Sequence, residues 1–211
     1  TAQAVARADI DPTSIDDVIM GCSTQQGTQG YNIGRLTAVA AGLPDTVPGM
    51  TVDRMCSSGL MAISIAAKQI IVDGMETCVA GGVESISLTQ NKFKNSYRNQ
   101  SQAVLAMSPH MYVAMIETAE IVAGKYGVSR EAQDEFALAS QLRTAAAHQA
   151  GRFTDELAPM ASRKAVVNGE TKETTFEVVT LTQDEGFRAT TTLEGLASLK
   201  PVFADGAVIR A

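Results

Sequence analysis

Cys56 lies in the run Val52-Asp53-Arg54-Met55-Cys56-Ser57-Ser58-Gly59-Leu60, between a strand-like and a helix-like segment. Upstream, residues 47–55 are short, proline-bounded and rich in apolar, β-compatible types. Downstream, Leu60, Ile63, Ala67, Ile70 and Ile71 recur at helical spacing. The cysteine therefore falls on a strand-to-helix turn, with Ser57, Ser58 and Gly59 opening the helix. Such a turn aims unpaired backbone N–H groups and the positive end of the helix dipole at the sulfur. Both favour the thiolate, which is the nucleophilic form. A buried cysteine acting as a small apolar residue is the competing reading, and position alone fits it equally well. The other two cysteines, Cys22 and Cys78, are far from it and from each other. An odd number at such spacing argues against a disulfide scaffold or a zinc site and suits a reducing compartment. Cys78, inside a strand-like run, reads as structural.

The remaining polar candidates are scattered. His110 and His148 are the only histidines, and neither is assigned a catalytic role. His148 is expected on the surface of a long helix. Met111 and Met115 are four apart, so they share one face of a helix starting at Pro109. That face suits core packing or an adaptable apolar wall. Gly81-Gly82 reads as a tight turn or as a close backbone approach beneath the cysteine, with the structural role preferred. Glu84 reads as a buried structural hydrogen bonder in preference to an active-site acid, and Arg188 as a surface charge after a hairpin unless a ligand claims it.

These residues need a scaffold, and 211 residues suffice for one domain or two small ones. The chain is 45% hydrophobic but only 5% aromatic, as suits small-residue helices packed on a sheet. With 17 basic and 23 acidic residues the net charge is −6, which argues against a nucleic-acid binder. The longest apolar run, residues 60–72, is interrupted by Lys68, so no membrane span is expected, and no leader pattern opens the chain. Helices are expected over residues 2–8, 32–41, 60–73, 109–123 and 130–150, the last capped by Ser129 and closed by Gly151. Strands are expected over 18–22, 47–55 and 77–80, with 23–30 a polar surface loop and 87–108 irregular. Strand–helix–strand around Cys56 implies a parallel sheet and an α/β fold. Residues 161–188 read as a hairpin turning at Asn168-Gly169. The uncapped first residue and a strand beginning near 206–211 suggest a piece of a longer protein.

With Cys56 placed, the sequence resembles the thiolase family of CoA-dependent acyltransferases. Asp53-Arg54-Met55-Cys56-Ser57-Ser58-Gly59-Leu60 is similar to the nucleophile motif, with Ser57 where Gly is usual. Ala80-Gly81-Gly82-Val83-Glu84-Ser85 resembles the Gly-Gly-x-Glu-Ser signature, and Met115 with Thr118-Ala119-Glu120 resembles a Met-x-x-Thr-Ala-Glu helix start. Tyr126-Gly127, Ser129-Arg130-Glu131, Gln133-Asp134, Phe136-Ala137 and Ser140-Gln141 follow the next family helix, and Gly151-Arg152-Phe153, Glu156-Leu157 and Pro159 continue it. Thr192-Leu193-Glu194-Gly195-Leu196 through Leu199-Lys200-Pro201 matches the return to the catalytic core. The resemblance covers essentially the whole chain.

What it implies is a layered α-β-α-β-α fold, here the N-terminal half with an inserted loop domain. Residues 1–86 would be the α/β half-domain lacking its first strand, 87–200 mainly the loop domain with return helix and hairpin, and 201–211 the start of the next core strand. Cys56 would take an acyl group from a thioester, its backbone N–H helping an oxyanion hole. Met115 would line the acyl chain, although Ala114 stands where short-chain members often have His. Arg188 would pack on the CoA adenine, and Gly195 stands where some members place a Ser on CoA. Lys92, Lys94 and Arg98 would meet the CoA 3′-phosphate, a neighbouring subunit or only solvent. The implied substrates are acyl-CoA and CoA, with no permanently bound cofactor and no metal. The implied role is 3-ketoacyl-CoA thiolysis, as in fatty-acid β-oxidation, or the reverse condensation. A homodimer or homotetramer in the cytoplasm, or in the mitochondrial matrix or peroxisome of a eukaryote, would follow. The general base and second catalytic cysteine of the family would lie beyond residue 211, leaving the 211 residues inactive alone. A ketosynthase-type condensing enzyme and a non-catalytic thiolase-fold partner are the alternatives.

Overall fold

A computed structural model describes residues 1–208. They form two compact units, Thr1–Asn99 and the residues from Gln100 onward. The sequence places the corresponding boundary at residue 86.

The first unit is built on β1 (Asp17–Gly21), β2 (Gly49–Val52) and β3 (Cys78–Gly82), in the order β2-β1-β3 and all parallel. The parallel sheet expected from the strand–helix–strand pattern is present, but β1 sits between the two strands of that unit. Ile19 lies opposite Met50 on one side and Ala80 on the other. Successive side chains of β1 point to opposite faces, so each face has its own core. Val18 and Met20 pack with Val5 of α1 (Ala2–Ala8), Ala38 of α2 (Ile33–Ala40), Ile15, Leu43 and Val47. Ile19 packs with Ala62 and Ala66 of α3 (Ser58–Lys68). Helices thus cover both faces, as the crossovers of a parallel sheet require.

α3 continues through a wider π-type turn, Gln69–Asp73, and is closed by Gly74 at φ 77°. The helical stretch Met55–Asp73 is long and apolar enough to cross a membrane, by length and composition alone; Lys68 does not break it. Its inner face is formed by the small residues Ala62 and Ala66, which let the helix lie close on the sheet, while Leu60, Ile63 and Ile71 stay exposed. The helical periodicity of large apolar residues therefore marks the face of α3 turned away from this sheet.

The segment after β3 is less irregular than its composition suggests, containing α4 (Ile86–Thr89) and, in the second unit, α5 (Gln102–Met107), capped by the Ser101 hydroxyl. α6 (Met115–Tyr126) begins at Met115, six residues later than the sequence predicts. Ser108 and Pro109 serve a different purpose: Ser108 ends α5, and Met111 and Val113 donate to the carbonyls of Ser108 and His110 in consecutive tight turns. Met111 and Met115 consequently share no helix face.

α7 (Arg130–Gln149) runs as expected, with the Ser129 hydroxyl accepting from the Ala132 amide and Gly151 at φ 67° beyond its end. The hairpin pairs β4 (Met160–Val167) with β5 (Thr174–Leu181) antiparallel. Its turn is the longer loop 168–173, because the Asn168 carboxamide oxygen accepts from the Glu170 and Thr171 amides and the left-handed residue is Lys172, not Gly169. α8 (Leu193–Ala197) is capped by Thr192 and clamped to α7 by Arg130. The Arg130 Nε donates to both Asp134 carboxylate oxygens at 2.9 and 3.0 Å, and its other nitrogens donate to the Leu196 and Leu199 carbonyls. Residues 201–208 turn rather than extend, and Glu120 accepts from the Ala207 and Val208 amides. The rest of the expected 201–211 core strand lies outside the described residues.

Candidate active site

The residues from Asp53 to Ser58 close on themselves to form the turn that carries Cys56. The Asp53 carboxylate accepts from the Met55 amide at 2.8 Å, and Met55 adopts φ 50°. A left-handed conformation at an unbranched non-glycine residue costs about 1 kcal/mol, which the turn's own hydrogen bonds offset. The Ser58 hydroxyl accepts from the Arg54 amide and donates to the Met55 carbonyl, while the Ser57 hydroxyl donates to the Arg54 carbonyl. The Ser57 and Ser58 amides also donate inside the turn, to the carbonyls of Arg54 and Met55. Those two donors therefore serve the turn, contrary to the expectation that they face the sulfur.

Cys56 is exposed on this turn, so the reading of a buried apolar cysteine does not hold. Cys22 and Cys78 contrast with it. Cys22 is fully buried and accepts from the Gln29 side chain at 3.3 Å. Burial, then the nearby Glu84 carboxylate, push its thiol above the ordinary range. Burial, then Asp17 and Asp16, do the same at Cys78. Thiolate formation is disfavoured at both.

Backbone packing fixes where the turn stands. A Cβ on Gly21, the last residue of β1, would lie 2.2 Å from the Ser58 carbonyl carbon and 2.4 Å from the Gly59 amide nitrogen. A Cβ on Gly82, at the end of β3, would lie 3.2 Å from the Gly59 Cα. The start of α3 thus rests directly on the carboxyl ends of β1 and β3. Gly82 makes the close backbone approach the sequence offered as one of its two roles.

Glu84 ties the same strand ends to the loop before α2. Its carboxylate accepts from the Ser23 amide and hydroxyl, each at 2.8 Å, and from the Gln29 side chain at 2.7 Å. Burial raises its pKa, but the hydrogen bonds from Gln29, Ser23 and Thr24 prevail and hold it down to about 2. Gln29 in turn donates to the Thr24 carbonyl and accepts from the Ser85 amide. This is the hydrogen-bonding role expected of Glu84, although the residue is exposed and not buried. Gln29 is the residue that sequence reasoning missed: it is 3% exposed inside a loop expected on the surface. A glutamine among glycines and threonines gives no periodic signal. Lys92, Lys94 and Arg98 are exposed, with the Lys92 ammonium over the Phe93 ring.

In the second unit, Arg188 and Gly195 line one cleft of about 360 Å³ with Ala137, Gln141, Thr191 and Leu196. The Arg188 amide donates to the Gln141 side chain at 2.6 Å, and its carbonyl accepts from both the amide and the hydroxyl of Thr191. Its backbone is held on both sides while its side chain is exposed. Met115, 75% exposed at the first position of α6, is not among the residues of that cleft. His110 is exposed, but His148 is half-buried and stacked on Phe187, which corrects its expected surface position.

Residues 1–211 match the family model described as thiolase, N-terminal domain. A 3-ketoacyl-CoA thiolase of Bacillus subtilis (strain 168) is 42% identical over 196 residues, covering 92% of this chain and 49% of the relative. A beta-ketoadipyl-CoA thiolase of Pseudomonas putida is 39% identical over 202 residues, covering 89% and 48%. The crystal structure of the Bacillus anthracis acetyl-CoA acetyltransferase superposes with a TM-score of 0.76 at 36% identity, covering 98% of this chain and 52% of that one. The chain spans about half the length of the curated relatives it matches. The layered α/β architecture expected from the resemblance is accordingly that of a known thiolase-type enzyme, and the chain belongs to the thiolase family.

Proposed function

We propose that this chain carries the acyl-accepting half of a thiolase, with Cys56 as the nucleophile. The observation that carries the reading is the exposed thiol on a turn braced by Asp53, Ser57 and Ser58 at the start of α3, while the other two thiols are buried or half-buried. In the first stage of thiolysis the Cys56 sulfur bonds to the 3-keto carbon of a 3-ketoacyl-CoA, and the carbonyl π electrons move to oxygen. As the carbonyl re-forms, the C2–C3 bond breaks and the departing acetyl-CoA carbanion takes up a proton. In condensation the sulfur bonds to the thioester carbon of an acyl-CoA and the CoA thiolate leaves. In the second stage CoA thiolate takes the acyl group from Cys56 in thiolysis, or the carbanion of a second acyl-CoA takes it in condensation, and either attack returns the Cys56 thiolate to complete a ping-pong cycle. The thiol proton passes to a base, which the family keeps in its C-terminal half. The Cys56 amide is the donor we assign to the developing oxyanion.

Arg188 is the CoA contact in this reading. Its guanidinium stacks on an adenine and its charge serves phosphates, both suited to an exposed side chain on a rigid backbone. Met115 is the acyl-chain contact, and its exposure at a helix start leaves it free to adapt. The substrates are acyl-CoA and CoA, with no metal or resident cofactor, and the relatives' names point to 3-ketoacyl-CoA thioesters. The working protein is a homodimer or homotetramer in a reducing compartment such as the cytoplasm. Incubating the full-length protein with acetyl-CoA and mapping the adduct by mass spectrometry tests the assignment. The expected result is acetylation of Cys56, lost in Cys56→Ala; an adduct on Cys22 or Cys78, or none, overturns it.

A further inference from the structure

The loop 182–188 that brings Arg188 to its cleft contains no helix or strand, yet it is held to α7 at two places. One is the Arg188 amide on the Gln141 side chain. The other is an aromatic stack: the His148 ring lies 4.4 Å from that of Phe187, nearly parallel at 20°, and 4.8 Å from Phe153 at 52°. Gln141 and His148 are seven apart on α7, two helical turns along one face. His148 is in the last turn of α7, and Phe153 follows just after Gly151 has turned the chain back. The imidazole therefore contacts two phenyl rings, one of which belongs to the residue immediately before Arg188. Asp184, Gly186 and Phe187 line one wall of a small cleft whose other wall is Ser140, Gln141, Thr144 and His148.

We infer that His148 is a positioning residue for Arg188: by stacking on Phe187 it fixes the loop so that the guanidinium stays over the cleft shared with Gly195. Gln141 and Thr191 hold only the backbone of Arg188 itself, its nitrogen and its carbonyl, and leave the residues before it free to swing. The stack fixes a second point one residue away, so the direction of the Arg188 side chain is set before ligand arrives. Preorganisation of this kind lowers the cost of binding without touching the reacting atoms. The role is geometric and needs an aromatic ring, not a proton. His148 thus influences only a substrate that extends to Arg188, namely one carrying a nucleotide.

The inference rests on Arg188 being the CoA contact, and the experiment separates the two. Steady-state kinetics of the full-length protein are measured with acetyl-CoA and with S-acetyl-N-acetylcysteamine, a donor that lacks the nucleotide. His148→Ala and Phe187→Leu are expected to raise KM for acetyl-CoA about three- to tenfold, the size of one aromatic contact. Both should leave kcat, and all parameters for the short donor, within about twofold. His148→Phe should restore the parent KM, and His148→Ala should add nothing in an Arg188→Ala background. Equal losses on both donors would mean a general structural role and overturn the inference. So would an unchanged KM in His148→Ala while Arg188→Ala discriminates between donors. If Arg188→Ala itself treats both donors alike, the CoA assignment falls and the inference falls with it.

Discussion

Replacing Gly21 by Ala tests the idea that backbone contact between β1 and α3 sets the position of Cys56. The added Cβ would sit 2.2 Å from the Ser58 carbonyl carbon and 2.4 Å from both the Ser58 oxygen and the Gly59 nitrogen. All three are backbone atoms at the start of a helix, so no side-chain rotation relieves them. To reach ordinary contact, α3 must retreat from β1 by roughly 1 Å, and overpacking of this kind costs about 1–3 kcal/mol. Cys56 is two residues from Ser58 in the same turn and must move with it. A displacement of about 1 Å at a reacting group lowers rates on the order of a hundredfold. The assay is single-turnover acetylation of Cys56 by acetyl-CoA, followed by mass spectrometry, beside a thermal melt by circular dichroism. Gly124→Ala is the control, since a Cβ there meets nothing within 4 Å inside α6 and should stabilise by about 0.5–1 kcal/mol. Wild-type acetylation and melting in Gly21→Ala would refute the packing argument.

The Glu84 network predicts a pH effect. Its folded pKa of about 2 lies below the ordinary 4.5, so its stabilisation is complete above about pH 4.5 and disappears as pH falls toward 2. Glu84→Gln should remove on the order of 1 kcal/mol at pH 7, allowing for solvent screening, and flatten that acid limb in denaturant titrations; identical acid limbs would count against the network. Arg130→Ala should destabilise the second unit by about 3 kcal/mol, because it strands the buried Asp134 carboxylate. Arg130→Lys should not rescue it, since one ammonium cannot serve the carboxylate and the Leu196 and Leu199 carbonyls together. Hydrogen exchange at α8 reads both, and unchanged protection would contradict the clamp.

Local signals in the sequence located elements whose stabilisation is itself local. Ser129 and Gly151 bracket α7 because capping depends on neighbours a turn away, and the strand-to-helix turn at Cys56 follows from the switch of apolar period. What escaped depends on distant partners. Residue 109 is the exception, where the miss is local: Ser108-Pro109 has the composition of a helix start, but the Ser108 amide already closes α5 on the Val104 carbonyl and the Tyr112 hydroxyl meets the Ser101 amide. The strand order escaped for the long-range reason, since pairing of Asp17 with Cys78 is not a property of either segment alone. At the candidate site the thiol was legible from type and spacing, whereas Gln29 and His148 gain their roles only from tertiary neighbours. The α3 periodicity marked the helix but not which face meets the sheet, where the small Ala62 and Ala66 pack closely.

The place of β1 in the middle of its sheet has a consequence for the order in which the protein takes shape. Among β1, β2 and β3, β1 leaves the ribosome before the two strands that flank it here, which follow across gaps of increasing length. Loop-closure entropy must be met twice before the central strand is flanked, which makes this a slow, non-local assembly step. The turn at Cys56 is synthesised well before Gly82, the last backbone surface on which the start of α3 comes to rest. A nascent chain therefore carries an exposed thiol ahead of its supporting strand, and the turn acquires its final setting only after β3 has been made and inserted.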